Sequence, residues 1–248
     1  MTKRTKFVLV TGSAGGIGSE IVKNLRDNEF KTIGIDTISE NDSDFFIKAD
    51  LLDAVEKPKK FKEILHAIDE VTEDHEFVGL VNNAAIQKCA EISELGSNDY
   101  IKAININFLA PVIITKHFIK KLKIANGFVI NILSIHTNLS KSGFSSYSAS
   151  KSALKSFTKS LSIEFGEEFT TIGIAPGAID TEMLKSGFLH DSDKVDKLKN
   201  IHPTKQIGKP EDIAKLIHFL LKKKIRFLNG SIIDLSGGVS NLLKDLDR

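Results

Sequence analysis

Short apolar runs alternate along the chain with longer segments in which apolar positions recur every three or four residues. KFVLV (6–10), KTIGI (31–35), DFFIKA (44–49), FVGLV (77–81), GFVINI (127–132), TIGIA (171–175) and GSIIDL (230–235) read as strands. Most lack polar alternation, which is the pattern of strands covered on both faces. Amphipathic stretches near 16–28, 57–72, 98–123, 147–166 and 210–223 read as helices. Pro210, Glu211 and Asp212 suit the first turn of the last of these. The strand–helix rhythm predicts an α/β fold: a doubly wound parallel sheet of about seven strands, flanked by helices, as a single domain over 1–248. One long interruption, 182–206, reads equally as a substrate-side lid or a surface excursion.

Composition adds mainly exclusions. With 34 basic and 32 acidic residues spread evenly, the net charge of +2 leaves no electrostatic footprint for nucleic acid or a membrane surface. The runs KKLK (120–123) and LKKKIR (221–226) read as solvated helix ends. A single cysteine, Cys89, allows neither an internal disulfide framework nor a cysteine-rich metal site; it is expected to be a small buried residue in a reducing compartment. The basic start MTKRTK leads into too short an apolar run for a signal peptide, and no run approaches the roughly eighteen apolar residues of a membrane span. A soluble, cytoplasmic protein without a metal is expected.

VLVTGSAGGIGSEIV (8–22) places Gly12, Gly15, Gly16 and Gly18 between the first strand and the first helix. Such a turn lets a phosphate approach amides at a helix N-terminus. Asp36, eighteen residues after Gly18 at the end of the second strand, can accept both ribose hydroxyls of an adenosine. No Arg or Lys stands at 13–15 or 37 to receive a 2′-phosphate, so NAD is favoured over NADP.

TGxxxGxG at 11–18, NNAA at 82–85, a serine thirteen residues before the YxxxK of 147–151, and PG at 176–177 occur in that order. On these motifs the chain is identified as a member of the short-chain dehydrogenase/reductase family, the resemblance running from Val8 to SGGVS at 236–240. The resemblance implies a Rossmann fold and a catalytic set of Asn107, Ser134, Tyr147 and Lys151. Asn105 is the alternative to Asn107. It implies cofactor contacts from Gly12, Ser13, Gly15, Gly16, Ile17 and Gly18, then Asp36, Asp50 and Leu51 at the adenosine end. Asn83, Ala84 and Ala85 line the groove, and Tyr147, Lys151, Pro176, Gly177, Ile179 and Thr181 reach the nicotinamide half. Substrate-side candidates are Gln87, Ser134, His136, Phe144, Tyr147 and Met183. Departures are Leu133 for the first of two serines, Ala85 for a glycine, and Ile172 for a frequent asparagine.

Oxidising an alcohol requires a base, and a phenol of pKa near 10 needs roughly 4 kcal/mol of help to act near neutrality. An ammonium at about 4 Å and an effective dielectric near 20 supplies about that much. Lys151, one helical turn beyond Tyr147, is therefore expected to lower the phenol's pKa. The function expected is NAD(H)-dependent hydride transfer between a secondary alcohol and its ketone. An NADPH-dependent 3-oxoacyl thioester reductase, a methyltransferase and a non-catalytic dinucleotide sensor are the rival readings. A homotetramer, or a dimer, is expected to form on the helices near 98–123 and 147–166, which carry Ile113, Ile114, Leu154 and Phe157.

Overall fold

The computed structural model describes residues 4–38, 42–187 and 192–242. Seven parallel strands form one sheet in the order β3-β2-β1-β4-β5-β6-β7. They are β1 (Lys6–Thr11), β2 (Lys31–Asp36), β3 (Phe45–Lys48), β4 (Glu76–Asn82), β5 (Phe128–Ile132), β6 (Thr170–Pro176) and β7 (Ile232–Leu235). In-register pairing such as Leu9 with Ile33 and Leu80 buries the apolar runs on both faces, as their unbroken hydrophobicity requires. Helices α1 (Gly16–Arg26) and α9 (Pro210–Lys223) pack together, and Ile21, Leu25, Ile213 and Ile217 join Val8 and Val10 in one core layer. On the opposite face α3 (Pro58–Val71) and α5 (Ala110–Ala125) bury Phe61, Ile68, Ile114 and Phe118 against Leu9 and Leu80.

Three segments depart from the periodicity reading. Asp50 accepts the N–H of Leu52 at 2.8 Å and starts a short helix, α2 (Leu51–Glu56). It stops at Lys57 (φ −122°, ψ 83°) because the following Pro58 excludes helical torsions there. The stretch 98–123 is not one helix but α4 (Ser97–Ile104), a π-helical turn (Asn105–Leu109) and α5. Pro111, lacking an N–H, cannot give the carbonyl of Asn107 its α-helical bond. Within 182–206 lie α7 (Glu182–Gly187) and α8 (Ser192–Ile201); residues 188–191 of that expected lid fall outside the described residues.

The long helix α6 (Ser145–Glu164) is tied to the sheet by a buried polar ladder. Asn82 donates to Asn131 at 2.7 Å, and Asn131 donates to Thr158 of α6 at 2.9 Å. The four residues expected to be spare for an interface are not spare. Ile114 and Leu154 are buried, and Ile113 and Phe157 pack against the chain's own core. The exposed apolar side chains on these helices are instead Ile101, Ile124 and Ile163.

Candidate active site

After β1 the chain turns to β2 on one side, while β4 lies on the other, so the strand order reverses at β1. At such a point the loops leaving the strands' carboxyl ends diverge and open a crevice. A cavity of about 770 Å³ fills it. Its walls come from the glycine turn, the segment after β4, the end of β5, the start of α6 and the segment after β6.

The glycine turn is built as a cradle. Gly12 (φ +65°) donates to the carbonyl of Ile35 at 2.8 Å, and a methyl group on it would stand 2.9 Å from the Cα of Ala84. Asn83 donates to the carbonyls of Thr11 and Gly12, both at 3.0 Å, so it anchors the turn as well as lining the cavity. Gly18 lies behind the turn: a Cβ there would fall 1.9 Å from the Gly12 carbonyl. Ser13 is fully buried facing Gly34. Neither Ser13 nor Gly18 lines the cavity, because both serve the turn's packing. Gly15, Gly16 and Ile17 do line it, at an N-terminus of α1 that has no side-chain cap and no acid in its first turn.

Asp36 accepts from the N–H of Ala14 at 2.9 Å and of Thr37 at 2.7 Å, which sets its carboxylate beside the cradle. The Thr37 hydroxyl and the Ile38 N–H also reach Oδ1, at 3.3 and 3.2 Å, so Oδ2, which accepts only from Ala14, is the oxygen with a lone pair left for a hydroxyl. Asp50 and Leu51 line the same end. An uncapped helix N-terminus for phosphates and a carboxylate for a diol are the donor and acceptor set that fits a nicotinamide dinucleotide.

At the other end, Ser134 closes β5, and Tyr147 and Lys151 rise from α6. All three are buried side chains that line the cavity. Lys151 donates to the carbonyl of Ile132 at 2.6 Å, and its Nζ is 5.9 Å from the Tyr147 ring centroid. Burial pushes the Tyr147 phenol up to about 12, against a hydrogen bond with Ser134 that lowers it. Burial also pulls Lys151 down to about 7. The phenol is thus raised rather than lowered as expected, because burial outweighs its hydrogen bond with Ser134. The Lys151 amine is committed to the Ile132 carbonyl rather than to the phenol.

Asn107 sits in the π-helical turn and is wholly buried. Its side chain accepts from the N–H of Ile86 at 2.8 Å and donates to the Ile86 carbonyl and to Ser150, both at 2.9 Å. It lies behind the cavity wall, bracing the segment after β4 against α6, whereas Asn105 is half-buried. Pro176, Gly177, Ile179 and Thr181 also line the cavity, and the Thr181 methyl meets the space above Gly16. Ala84 and Ala85 lie in the wall between the two ends.

Gln87, His136, Phe144 and Met183 complete the cavity beyond Tyr147. The His136 ring lies 4.6 Å from that of Phe144, tilted by 46°, and burial, aided by the charge of Lys141, lowers its pKa. Cys89 is exposed, not buried, because it lies on the irregular segment after β4, where Gln87 donates to its sulfur at 3.3 Å. Lys141, Leu198, His202 and Val239 also line the cavity; the first three lie outside the motifs, and Val239 stands in SGGVS at 236–240. Among the described residues no group of His, Cys, Asp and Glu could hold a metal, and no helix is long and apolar enough to cross a membrane.

Comparison with known proteins agrees with this geometry. Residues 6–191 match the short chain dehydrogenase family. The chain is 28% identical over 255 residues to a 3-oxoacyl-acyl-carrier-protein reductase of Vibrio cholerae, covering 96% of this chain and 99% of that one. Its fold superposes on the ligand-free aldohexose dehydrogenase of Thermoplasma acidophilum with a TM-score of 0.89 at 24% identity, covering 98% and 96% of the two chains. It also superposes on 4-hydroxyisoleucine dehydrogenase complexed with NADH, with a TM-score of 0.86 at 25% identity and coverage of 96% and 100%. The glycine cradle, the parallel sheet and the match over three quarters of the chain lead to one conclusion: the protein is an oxidoreductase of the short-chain dehydrogenase family.

Proposed function

We propose that the protein is an NAD(H)-dependent oxidoreductase that moves a hydride between a secondary alcohol, or its ketone, and the nicotinamide, with Tyr147 as general acid and base. One observation carries the proposal: Ser134, Tyr147 and Lys151 line the same cavity as the glycine cradle and Asp36. Ser134 holds the substrate oxygen beside the phenol. In ketone reduction Tyr147, a protonated phenol in this pocket, gives its proton to the oxygen as the carbon is reduced. In alcohol oxidation it takes that proton back. Lys151, poised near neutrality, is placed to bind the nicotinamide ribose and to pass charge to the phenol. When bound, the oxidised nicotinamide supplies the hydride acceptor and a positive charge that favours the phenolate. Asn107 supports this end by fixing Ile86 and Ser150.

The whole chain acts as one catalytic domain in this reading. α7 and α8 form a lid, since Met183, Leu184, Leu198 and His202 line the cavity from that side. A cytoplasmic homotetramer using the faces of Ile101 and Ile163 completes the proposal.

Asp36 sets the expected cofactor preference. Losing its ribose contact and placing a phosphate beside its carboxylate should cost more than about 1.4 kcal/mol, so kcat/KM with NAD should exceed that with NADP at least about tenfold. Asp36→Ala should narrow the ratio without abolishing turnover. Absorbance of the reduced cofactor over a panel of secondary alcohols and ketones checks both statements. Equal use of the two cofactors would overturn the preference and favour the NADPH-dependent reductase reading. Cofactor binding without turnover of any compound would favour the sensor.

A further inference from the structure

Two residues of YSASK (147–151) carry the proposed chemistry, and a third stands between them unused. Ser150 is fully buried and does not line the cavity. Its hydroxyl donates to the carbonyl of Tyr147 at 2.7 Å and accepts from the side-chain amide of Asn107 at 2.9 Å. In an α-helix the carbonyl of Tyr147 also takes the N–H of Lys151, four residues on. Ser150 therefore holds the helical turn that spaces the phenol from the amine.

Asn107 carries the chain of bonds on behind the cavity wall. Its oxygen accepts the N–H of Ile86 at 2.8 Å, and its two amide hydrogens are spent on the Ile86 carbonyl and on Ser150, both at 2.9 Å. Ile86 lines the cavity beside Ala84 and Ala85, on the segment after β4. One line of buried hydrogen bonds thus joins the wall at 84–86 to the backbone of Tyr147. Thr158, about two turns further along α6, makes the same pair of bonds: it donates to the carbonyl of Leu154 at 2.8 Å and accepts from Asn131 at 2.9 Å. That pair ties the helix to β5, and none of its members lines the cavity.

We propose that Ser150 is a positioning residue for the proton transfer: through Tyr147's carbonyl and Asn107 it fixes where the phenol stands relative to the wall at 84–86, without itself touching substrate or cofactor. The inference rests on the dehydrogenase reading above. Without the Ser150 hydroxyl, one buried amide hydrogen of Asn107 has no acceptor, and an unpaired buried donor costs more than the bond contributed. Either Asn107 turns and releases Ile86, or the first turns of α6 shift toward it. Both displace the phenol from the reacting oxygen. A displacement of about 1 Å costs about a hundredfold in rate, and a partial one proportionately less.

The test compares Ser150→Ala, Ser150→Thr and Thr158→Val with the wild type, by steady-state kinetics and by amide hydrogen exchange read on peptides. Ser150→Ala is expected to lower kcat about tenfold while KM and NADH affinity stay within about twofold. Ser150→Thr, which keeps the hydroxyl and can bond back to the helix as Thr158 does, should recover most of that loss. Thr158→Val removes an equivalent pair of bonds away from the cavity, so it should cost stability and leave kcat within about twofold. Exchange at 84–90 should quicken at least about threefold in Ser150→Ala and not in Thr158→Val, because the Ile86 N–H is held by Asn107. An unchanged kcat in Ser150→Ala, an equal fall in Thr158→Val, or a folded Ser150→Thr without recovery would each overturn the inference and leave the dehydrogenase reading standing. If the wild type oxidises no alcohol, that reading falls, and exchange alone decides the link: quickening at 84–90 confined to Ser150→Ala upholds it, and unchanged exchange overturns it.

Discussion

Replacing Tyr147 by phenylalanine is expected to lower turnover by about two orders of magnitude or more while cofactor affinity stays within a few-fold. The substitution removes one oxygen and keeps a ring that packs 6.0 Å from Phe144 and 6.5 Å from His136. Because the side chain is buried and its neighbours are aromatic, the phenylalanine ring has the same cavity to fill. The loss should therefore fall on kcat rather than on folding. Steady-state rates with a true substrate, alongside fluorescence titration with NADH, separate the two quantities. Near-normal turnover in Tyr147→Phe would mean that the proton moves elsewhere, with His136 the nearest alternative.

Lys151→Met should damage turnover and cofactor affinity together, because one ammonium is assigned both the ribose contact and the charge beside the phenol. Its effect on stability carries a separate signature. Folding lowers the lysine from its ordinary 10.5 to about 7, so between those values the unfolded chain binds the extra proton. Stability of the wild type then rises with pH across that window, and the burial penalty is fullest below about pH 7. Methionine carries no such penalty. The melting temperature of Lys151→Met relative to wild type should be highest near pH 6, by several degrees on the scale of about 2–4 °C per kcal/mol, and should decline toward pH 10. The carbonyl of Ile132 loses its donor in the variant, but that cost does not vary with pH. Thermal melts from pH 6 to 10 read this directly; a difference that stays level or grows with pH would contradict a buried, partly deprotonated lysine.

Much of the fold was legible because parallel strands buried on both faces must be apolar throughout, and all seven runs became strands of one sheet. The helix α2 was not legible from periodicity. Six residues are too few to show it, and its signal is local: the Asp50 cap at one end and Pro58 at the other. The break in the 98–123 helix was marked only by Pro111, since the apolar spacing continues through the π-helical turn. Motif residues were legible where chemistry fixes their type, and Gly12 and Gly18 show why: a methyl group at either would collide with backbone. Motif spacing did not separate residues that touch the cavity from those that build its wall. Asn107, Ser13 and Gly18 stand behind the lining and support it. Lys141 escaped notice because a rim lysine in a lysine-rich chain has no pattern. The pKa of Tyr147 departs from its expected direction because sequence gives its spacing from Lys151 and not its burial.

Hydride transfer itself is tested by following an isotope. A secondary alcohol deuterated at the carbinol carbon is incubated with the enzyme and NAD, and the NADH formed is analysed by mass spectrometry. One deuterium per NADH is expected, formed at a rate that collapses in Tyr147→Phe. Recovery of unlabelled NADH, or oxidation of the alcohol without NADH formation, would contradict it.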